Sequence, residues 1–227
     1  MIEENLRSIL DELPSGVKLV AVSKFHPFQD ILTAYQAGQR CFGENRPQEF
    51  QLKALQLPQD IEWHFIGHLQ TNKLKLVLPY ASLVESIDSV HLLEQVELWG
   101  AANGRTVDVL LELHLGAETT KGGLTEDEIE GILQAASSAG PSGSGRYPHV
   151  NFRGLMGMAT NTADESVVEA DFVRISRFKC RLDALFPNLT GFTELSIGMS
   201  HDWRLAVRHG ATIVRIGTSI FGPRTVL

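Results

Sequence analysis

The sequence predicts a single (β/α)8 barrel, and three observations support this fold class. Short apolar runs rich in β-branched residues alternate with longer stretches of helical period along the whole chain of 227 residues. The runs and helical stretches form consecutive βα units, so the strands should lie parallel with the helices outside them. Eight parallel strands in a chain of this length favour a closed barrel filled by side chains.

The predicted strands and helices follow one another in regular order. The strands are Lys18–Ser23, Arg40–Gly43, Glu62–Ile66, Leu83–Ser86, Val107–Leu113, Asn151–Met156, Glu194–Ile197 and Thr212–Ile216. The helices are Gln29–Ala37, Pro47–Leu55, Asn72–Leu78, Val90–Asn103, Glu126–Ala136, Asp164–Phe186 and Trp203–Arg208. An open flavodoxin-like or Rossmann-like sheet is the alternative, but no strand is followed by G-x-G-x-x-G or a Walker loop.

One domain over residues 1–227 is therefore expected, with one interruption. Residues 139–147 include the run Gly140-Pro141-Ser142-Gly143-Ser144-Gly145, which has the composition of a flexible linker. Because this segment precedes a strand, it should lie at the face of the barrel opposite the active-site face. We interpret it as an insertion without chemistry, and a loop that binds a partner is the alternative.

Composition and charge exclude several classes of protein. The chain has 20 Lys+Arg against 27 Asp+Glu and no basic block, which argues against a nucleic-acid or membrane surface. Cys41 and Cys180 are too few for a disulfide framework. The acidic start resembles no signal peptide, and no run approaches the roughly 18 apolar residues of a transmembrane helix. A cytoplasmic protein is expected.

Lys24 follows the apolar run Leu19–Val22 at the end of the first predicted strand. Functional residues of barrels collect where strands end, so its amine should reach the barrel mouth. An amine in apolar surroundings loses protonation and becomes a nucleophile towards aldehydes. Position alone favours a surface lysine paired with a carboxylate, whereas the anion sites described next favour the nucleophile.

Two glycine-containing segments are candidate phosphate sites. Gly198-Met199-Ser200 leads from the seventh strand into a helix, and Gly217-Thr218-Ser219 follows the eighth strand. Free N–H groups at helix starts attract phosphate, and barrels often bind phosphorylated ligands at these two loops. Ordinary capping explains either segment alone. Together with Lys24, they predict an amine that faces a phosphate cradle.

Arg215 lies inside the apolar run Ile213–Ile216, where an unpaired guanidinium would be costly. It needs a partner, which is either a buried carboxylate or the ring nitrogen of a bound pyridine. Arginine does not readily give up its proton. The second pairing would therefore leave the pyridine nitrogen unprotonated and weaken the ring as an electron sink.

His64 and His68 have the i,i+4 spacing of some metal sites, but they flank a glycine turn at Gly67. The segment lacks the His-Glu-x-x-His pattern and has no cysteine neighbour. No metal site is therefore expected.

Six motifs in order along the chain closely resemble those of the pyridoxal phosphate homeostasis proteins. The match spans nearly the whole sequence, and several long motifs in the right order are far more specific than a lone glycine pattern. The motifs are Val22-Ser23-Lys24, Phe42-Gly43-Glu44-Asn45, Trp63–Lys73, Gly154–Met158, Leu195–Asp202 and Arg215–Gly222.

The resemblance implies an alanine-racemase-type barrel that holds pyridoxal 5′-phosphate (PLP) as a Schiff base, with Lys24 at the family's lysine position. It also implies two groups of cofactor-binding residues. Those at the phosphate are Ser200, Gly217 and Thr218, and those near the ring or the rest of the cofactor are Arg215, Asn45 and Met199. The sequence departs from the family at Phe25-His26, where a small polar residue is common, and at His114, where asparagine is common.

The function that the resemblance implies is intracellular PLP (vitamin B6) and amino-acid homeostasis without established turnover. We therefore expect no catalytic residues, a monomer, and PLP-dependent apo-enzymes and amino acids as partners besides PLP. The alternative is a PLP-dependent amino-acid racemase or related enzyme. Alanine racemases add a C-terminal β domain, whereas this sequence ends at Leu227, just past the eighth strand. A cofactor-free Schiff-base aldolase would need a base beside Lys24, and the sequence offers none.

Overall fold

Eight parallel strands close into a barrel in chain order, with the last strand pairing back onto the first. This arrangement is that of a computed structural model, which describes residues 1–116, 122–138 and 145–223. Val20 on the first strand lies opposite Arg215 on the last, and this pairing completes the barrel. The predicted (β/α)8 barrel is confirmed, and the alternative of an open sheet is wrong.

The strands are β1 (Lys18–Val22), β2 (Cys41–Glu44), β3 (Glu62–Phe65), β4 (Leu83–Ile87), β5 (Val107–Leu113), β6 (Val150–Gly157), β7 (Glu194–Ser196) and β8 (Ile213–Ile216). The helices are α1 (Ile2–Glu12), α2 (Phe28–Gln36), α3 (Pro47–Gln56), α4 (Leu74–Val77), α5 (Val90–Asn103), α6 (Glu126–Ser137), α7 (Glu165–Leu185), α8 (Trp203–Arg208) and α9 (Thr218–Phe221). A short 3₁₀ turn, Thr71–Lys73, precedes α4.

Every predicted strand is present, and its ends differ from the prediction by at most one residue. Two helices were not predicted. The first, α1, buries Leu6 and Ile9 and packs against α2 and α9. The second, α9, has only four residues and begins directly after Gly217. Together they cover the seam where β8 meets β1.

The apolar side chains form two separate cores, as the alternation of a barrel strand requires. The larger core lies between the sheet and the helices, and it includes Phe42, Phe50 and Phe65. The smaller core fills the barrel itself. Its members come from six strands and are Val20, Cys41, Leu83, Leu110, Met156 and Ile213.

Polar side chains are also buried among the strands of this barrel. Glu85 and Ser196 are fully or almost fully enclosed, and His64 and Arg215 are nearly so. Burial of charged groups is costly unless they are paired. Their pairing, described below, links the base of the barrel with its mouth.

Two further predictions concern the ends and loops of the chain. Residues 139–144 of the segment 139–147 lie outside the described residues, whereas Tyr147 at its end is buried edge-on against Phe152. Within the described ranges, no helix combines the length and the apolar character needed to cross a membrane.

Candidate functional site

A cavity of about 260 Å³ opens at the C-terminal mouth of the barrel. Its walls come from β1, β6, β8 and the segments that follow β1, β3, β6, β7 and β8. Six of the seven cofactor-binding residues implied by the sequence line this one cavity, namely Lys24, Met199, Ser200, Arg215, Gly217 and Thr218. The remaining wall is largely apolar and consists of Val22, Ile66, Met156 and Met158, with His26 and His201 at the rim.

Asn45, the seventh residue, does not line the cavity. It follows β2 and lies against the next loop, because a Cβ atom on Gly67 would come within 2.2 Å of the Asn45 carbonyl oxygen. Its side-chain Oδ1 is a buried acceptor without a hydrogen-bond donor in the described part of the chain. Buried polar atoms are normally paired, so a group from outside the chain can complete this one.

The backbone beside Lys24 has an unusual conformation. Phe25 has a φ of 68°, a left-handed value that side chains other than glycine rarely adopt. Its N–H donates to Glu49 Oε1 at 2.9 Å, and the Arg46 guanidinium lies 4.4 Å from the centre of its ring. Such strain persists only where the surroundings over-determine it. These contacts therefore fix the turn that carries Lys24.

A buried cluster of charged side chains stabilises the same turn. Lys53 Nζ donates to the Ser23 carbonyl oxygen at 2.8 Å, to Glu44 Oε1 at 2.6 Å and to Glu49 Oε1 at 2.7 Å. Ser23 Oγ also donates to Glu44 Oε1, at 2.6 Å. Burial raises the pKa of Glu44 to about 6, although the charge and hydrogen bond of Lys53 oppose the rise.

Sequence reasoning missed Lys53, although the sequence contains a signal for it. Lys53 shares one face of α3 with Phe50, Ala54 and Leu57, at spacings of three and four residues, and all four are buried. A lysine on an otherwise apolar helical face needs a buried acid. Glu44 at the end of β2 is that acid.

The two glycine loops meet across the cavity mouth. Ser200 Oγ accepts a hydrogen bond from the Gly217 N–H at 3.2 Å, and Asp202 Oδ1 accepts one from the Met199 N–H at 2.5 Å. Gly198 has a φ of 94°, and a Cβ atom there would lie 2.6 Å from the Cβ of Ala206. Glycine is therefore required at position 198 for both conformation and space.

Arg215 is paired with a buried carboxylate, which is one of the two partners that the sequence left open. Its Nη1 lies 3.6 Å from Glu85 Oε2 and donates to Ser196 Oγ at 2.5 Å, while its Nη2 donates to the Gly157 carbonyl oxygen at 3.0 Å. Burial by itself would raise the pKa of Glu85, but the hydrogen bond and charge of His64 and the charge of Arg215 hold it below the usual range.

His64 and His68 contact different acids. His64 Nδ1 lies 2.6 Å from Glu85 Oε1, and His68 Nδ1 lies 2.7 Å from Asp88 Oδ2. The expectation that His64 has no cysteine neighbour is wrong in space, because donor atoms of Cys41, Glu62 and His64 all lie within 4.8 Å of one another. The fold brings Cys41 on β2 next to β3, which local spacing does not reveal. Glu62 Oε1 in this group is already bonded to Lys18 Nζ at 2.5 Å.

The barrel and its mouth define a class, that of the alanine racemase N-terminal domain. The model of this family, "Alanine racemase, N-terminal domain", matches residues 1–225. The alanine racemase of Corynebacterium glutamicum has the same fold, with a TM-score of 0.72 at 16% identity, over 99% of this chain and 61% of that one.

Relatives with higher sequence identity identify the family within this class. The chain is 34% identical to the pyridoxal phosphate homeostasis protein of Vibrio alginolyticus, over 98% of this chain and 97% of that protein. PipY of Synechococcus elongatus PCC7942, solved with PLP bound, is 36% identical with a TM-score of 0.86, over 98% of this chain and 100% of that one. This chain belongs to the pyridoxal phosphate homeostasis protein family, which confirms the resemblance seen in the sequence.

Proposed function

We propose that this protein binds PLP in the cavity at the barrel mouth, with Lys24 as the point of covalent attachment, and thereby buffers or supplies the cofactor. The observation that carries the proposal is that one cavity joins the Lys24 amine, the hydroxyls of Ser200 and Thr218, and the Arg215 guanidinium. The volume of about 260 Å³ is slightly below the roughly 300 Å³ at which pockets for drug-sized ligands begin. It suits one substituted ring.

The residues present fit the chemistry of PLP. The cofactor supplies an aldehyde that amines attack and a ring that withdraws electrons. Ser200, Thr218 and the Gly217 backbone offer hydrogen bonds to an anion at one end of the cavity. Apolar side chains such as Ile66 and Met156 exclude water from the middle. The unpaired Oδ1 of Asn45 offers a further acceptor beside the loop that leads from Ile66.

The presence of Arg215 favours a protein that holds the cofactor over one that uses it in catalysis. A guanidinium keeps its proton, so a ring nitrogen beside it stays unprotonated and withdraws electrons less strongly. Racemisation also needs an acid and a base on opposite faces of the ring. Lys24 serves one face. Tyr35 bonds Asp60 at the surface, Tyr80 packs against the larger core outside the barrel and Tyr147 is buried against Phe152, so none of the three tyrosines serves the other face.

The cellular setting is part of the same proposal. We infer a cytoplasmic monomer that exchanges PLP with PLP-dependent apo-enzymes and amino acids. Cys41 and Cys180 are both free, as in a reducing compartment. The exposed large apolar side chains are distributed over α1, α3, α5 and α7, with examples at Leu10, Leu52, Leu98 and Leu185. Among the described residues, Leu52 and Leu55 on α3 are the one pair of these side chains that lie three residues apart on a helix.

Spectroscopy and labelling test the binding site. We expect the purified protein, or the protein incubated with PLP, to be yellow, and borohydride reduction followed by peptide mapping to place the label on Lys24. Lys24→Ala should abolish the label. Lys75→Ala is the matched control, because Lys75 is exposed on α4 and does not line the cavity. A colourless protein, or a label on another lysine, would contradict the proposal.

Proton exchange tests the absence of turnover. Each L-amino acid is incubated with the PLP-loaded protein in deuterated water, and the α-proton is followed by NMR. We expect no inversion at enzyme-like rates. Rapid exchange with inversion that depends on Lys24 would make the protein a racemase.

A further inference from the structure

A chain of hydrogen bonds runs from Arg215 into the interior of the barrel. Arg215 Nη1 donates to Ser196 Oγ at 2.5 Å, and Ser196 Oγ donates to Glu85 Oε2 at 2.5 Å. The other oxygen of the same carboxylate, Oε1, lies 2.6 Å from His64 Nδ1. These residues come from β8, β7, β4 and β3. Only Arg215 among them lines the cavity.

The chain continues to the base of the barrel. His64 Nε2 lies 3.3 Å from Glu62 Oε1, which accepts from Lys18 Nζ at 2.5 Å. Burial by itself would lower the pKa of His64, but Cys41 and the two carboxylates raise it well above its usual value. Basic and acidic side chains thus alternate along the chain, from Arg215 through Glu85, His64 and Glu62 to Lys18.

Glu85 helps to hold Arg215 in place through the hydroxyl of Ser196. Ser196 Oγ is fully enclosed and accepts from Arg215, so its own proton needs an acceptor, and Glu85 Oε2 is that acceptor. Glu85 is fully buried as well and has His64 on its other oxygen, so it has no freedom to turn. The guanidinium is therefore held by a carboxylate that does not line the cavity, together with the carbonyl oxygens of Ser196 and Gly157.

We propose that Glu85, held by His64, is a positioning residue that fixes Arg215 at the ring-nitrogen end of bound PLP. This inference rests on the proposed function. Its consequence is that a change at Glu85 alters the binding and the electronic state of the cofactor ring through Arg215, while the other residues that line the cavity stay in place. Ser196 transmits the effect, because its hydroxyl is the link between the two.

The experiment compares PLP with an analogue in which the ring nitrogen is replaced by a C–H group. Affinity and the visible absorption spectrum are measured for wild type, Glu85→Gln and Ser196→Ala. We expect both variants to bind PLP about tenfold more weakly, the size of effect of one charge-assisted hydrogen bond. The analogue has no ring nitrogen, so its affinity should change less than about twofold, within the scatter of an unaffected contact.

Glu112→Gln is the matched control. Glu112 lies on β5 next to β4, is buried, and makes no hydrogen bond to Arg215 in the described part of the chain. It removes a carboxyl group whose charge interacts with Arg215 through space, without breaking the hydrogen-bond chain. We expect it to affect PLP and the analogue equally.

The outcomes separate this inference from the proposed function. If wild type binds neither ligand, the proposed function is wrong. If wild type binds PLP but Glu85→Gln weakens both ligands equally, or neither, Glu85 does not act through the ring nitrogen and the inference is overturned. If Glu85→Gln does not fold, Ser196→Ala gives the same comparison with the Glu85–His64 pair intact.

A further experiment with a chelator tests whether a metal ion binds the donor group formed by Cys41, Glu62 and His64. We expect treatment with EDTA followed by dialysis to leave the difference between PLP and the analogue unchanged. A difference that disappears with EDTA and returns with Zn²⁺ would show that a metal ion on these donors holds the chain, and the inference in its present form would be wrong.

Discussion

Arg215 and Glu85 form a buried ion pair across the barrel interior, with Nη1 3.6 Å from Oε2. Both side chains are almost completely enclosed, and Ser196 bridges them. A guanidinium in an apolar strand is tolerable for this reason. Because Arg215 also lines the mouth cavity, this ion pair contributes both to the stability of the barrel and to the structure of the cavity.

Arg215→Met should destabilise the PLP-free protein by about 3–5 kcal/mol, because it leaves Glu85 buried without its guanidinium. The measurement is urea unfolding at neutral pH. Arg215→Met combined with Glu85→Gln should recover part of the loss, since the uncompensated charge is removed. A single variant as stable as wild type would mean that His64 alone satisfies Glu85.

Glu112→Gln should stabilise the protein at pH 8 and leave its stability unchanged at pH 4. Burial raises the pKa of Glu112 to about 7 in the folded state, against an ordinary value of 4.5. Between these values the folded protein holds a proton that the unfolded chain releases, so stability falls as pH rises from 4.5 to 7. Glutamine avoids this loss, which at about 1.4 kcal/mol per pKa unit amounts to about 3–4 kcal/mol.

Urea unfolding at pH 4 and pH 8 measures the gain from Glu112→Gln. Asp11→Asn is the control, because Asp11 is exposed and its change should have a small effect at both pH values. An equal gain at pH 4 and pH 8 would show that packing, and not ionisation, is responsible.

Gly198→Ala should cost more than Gly210→Ala and should also weaken PLP binding. Both glycines have a positive φ, 94° and 86°, so each change costs about 1–2 kcal/mol of backbone strain. A Cβ atom meets nothing within 4 Å at Gly210, but at Gly198 it lies 2.6 Å from Ala206 Cβ. The extra clash displaces the loop that carries Ser200. Thermal unfolding and PLP titration of both variants check this, and equal effects would contradict it.

Ser200→Ala and Thr218→Ala should each weaken PLP retention by about 1.5–3 kcal/mol, the range for a hydrogen bond to a charged group. Binding of pyridoxal, which lacks the phosphate, should change little. Ser219→Ala is the control, since Ser219 follows Thr218 but does not line the cavity. If both variants lose affinity for pyridoxal as much as for PLP, the anion site lies elsewhere.

Sequence reasoning predicted the strands well because each contains a strong local pattern. Five of the seven residues of Val107–Leu113 are apolar, and the structure has a strand with the same bounds. It missed α1, whose buried face is only Leu6 and Ile9, and α9, which is too short for any periodicity. Sequence reasoning placed Lys24, Ser200 and Thr218 at one end of the barrel, because the C-terminal ends of parallel strands lie at the same edge of the sheet.

The sequence by itself predicted the barrel and the position of Lys24 from apolar runs and strand ends, which are local properties of the chain, and the family and the further candidate residues from the resemblance of its motifs. Only the tertiary structure decided the partners of the buried charges. Glu85 and Ser196 are 111 residues apart, and Lys53 reaches Glu44 from a helix on the outside of the sheet. Local pattern predicts which side chains point inwards, but barrel closure and side-chain conformation determine which of them meet. The partner of Arg215 was therefore beyond the reach of the sequence.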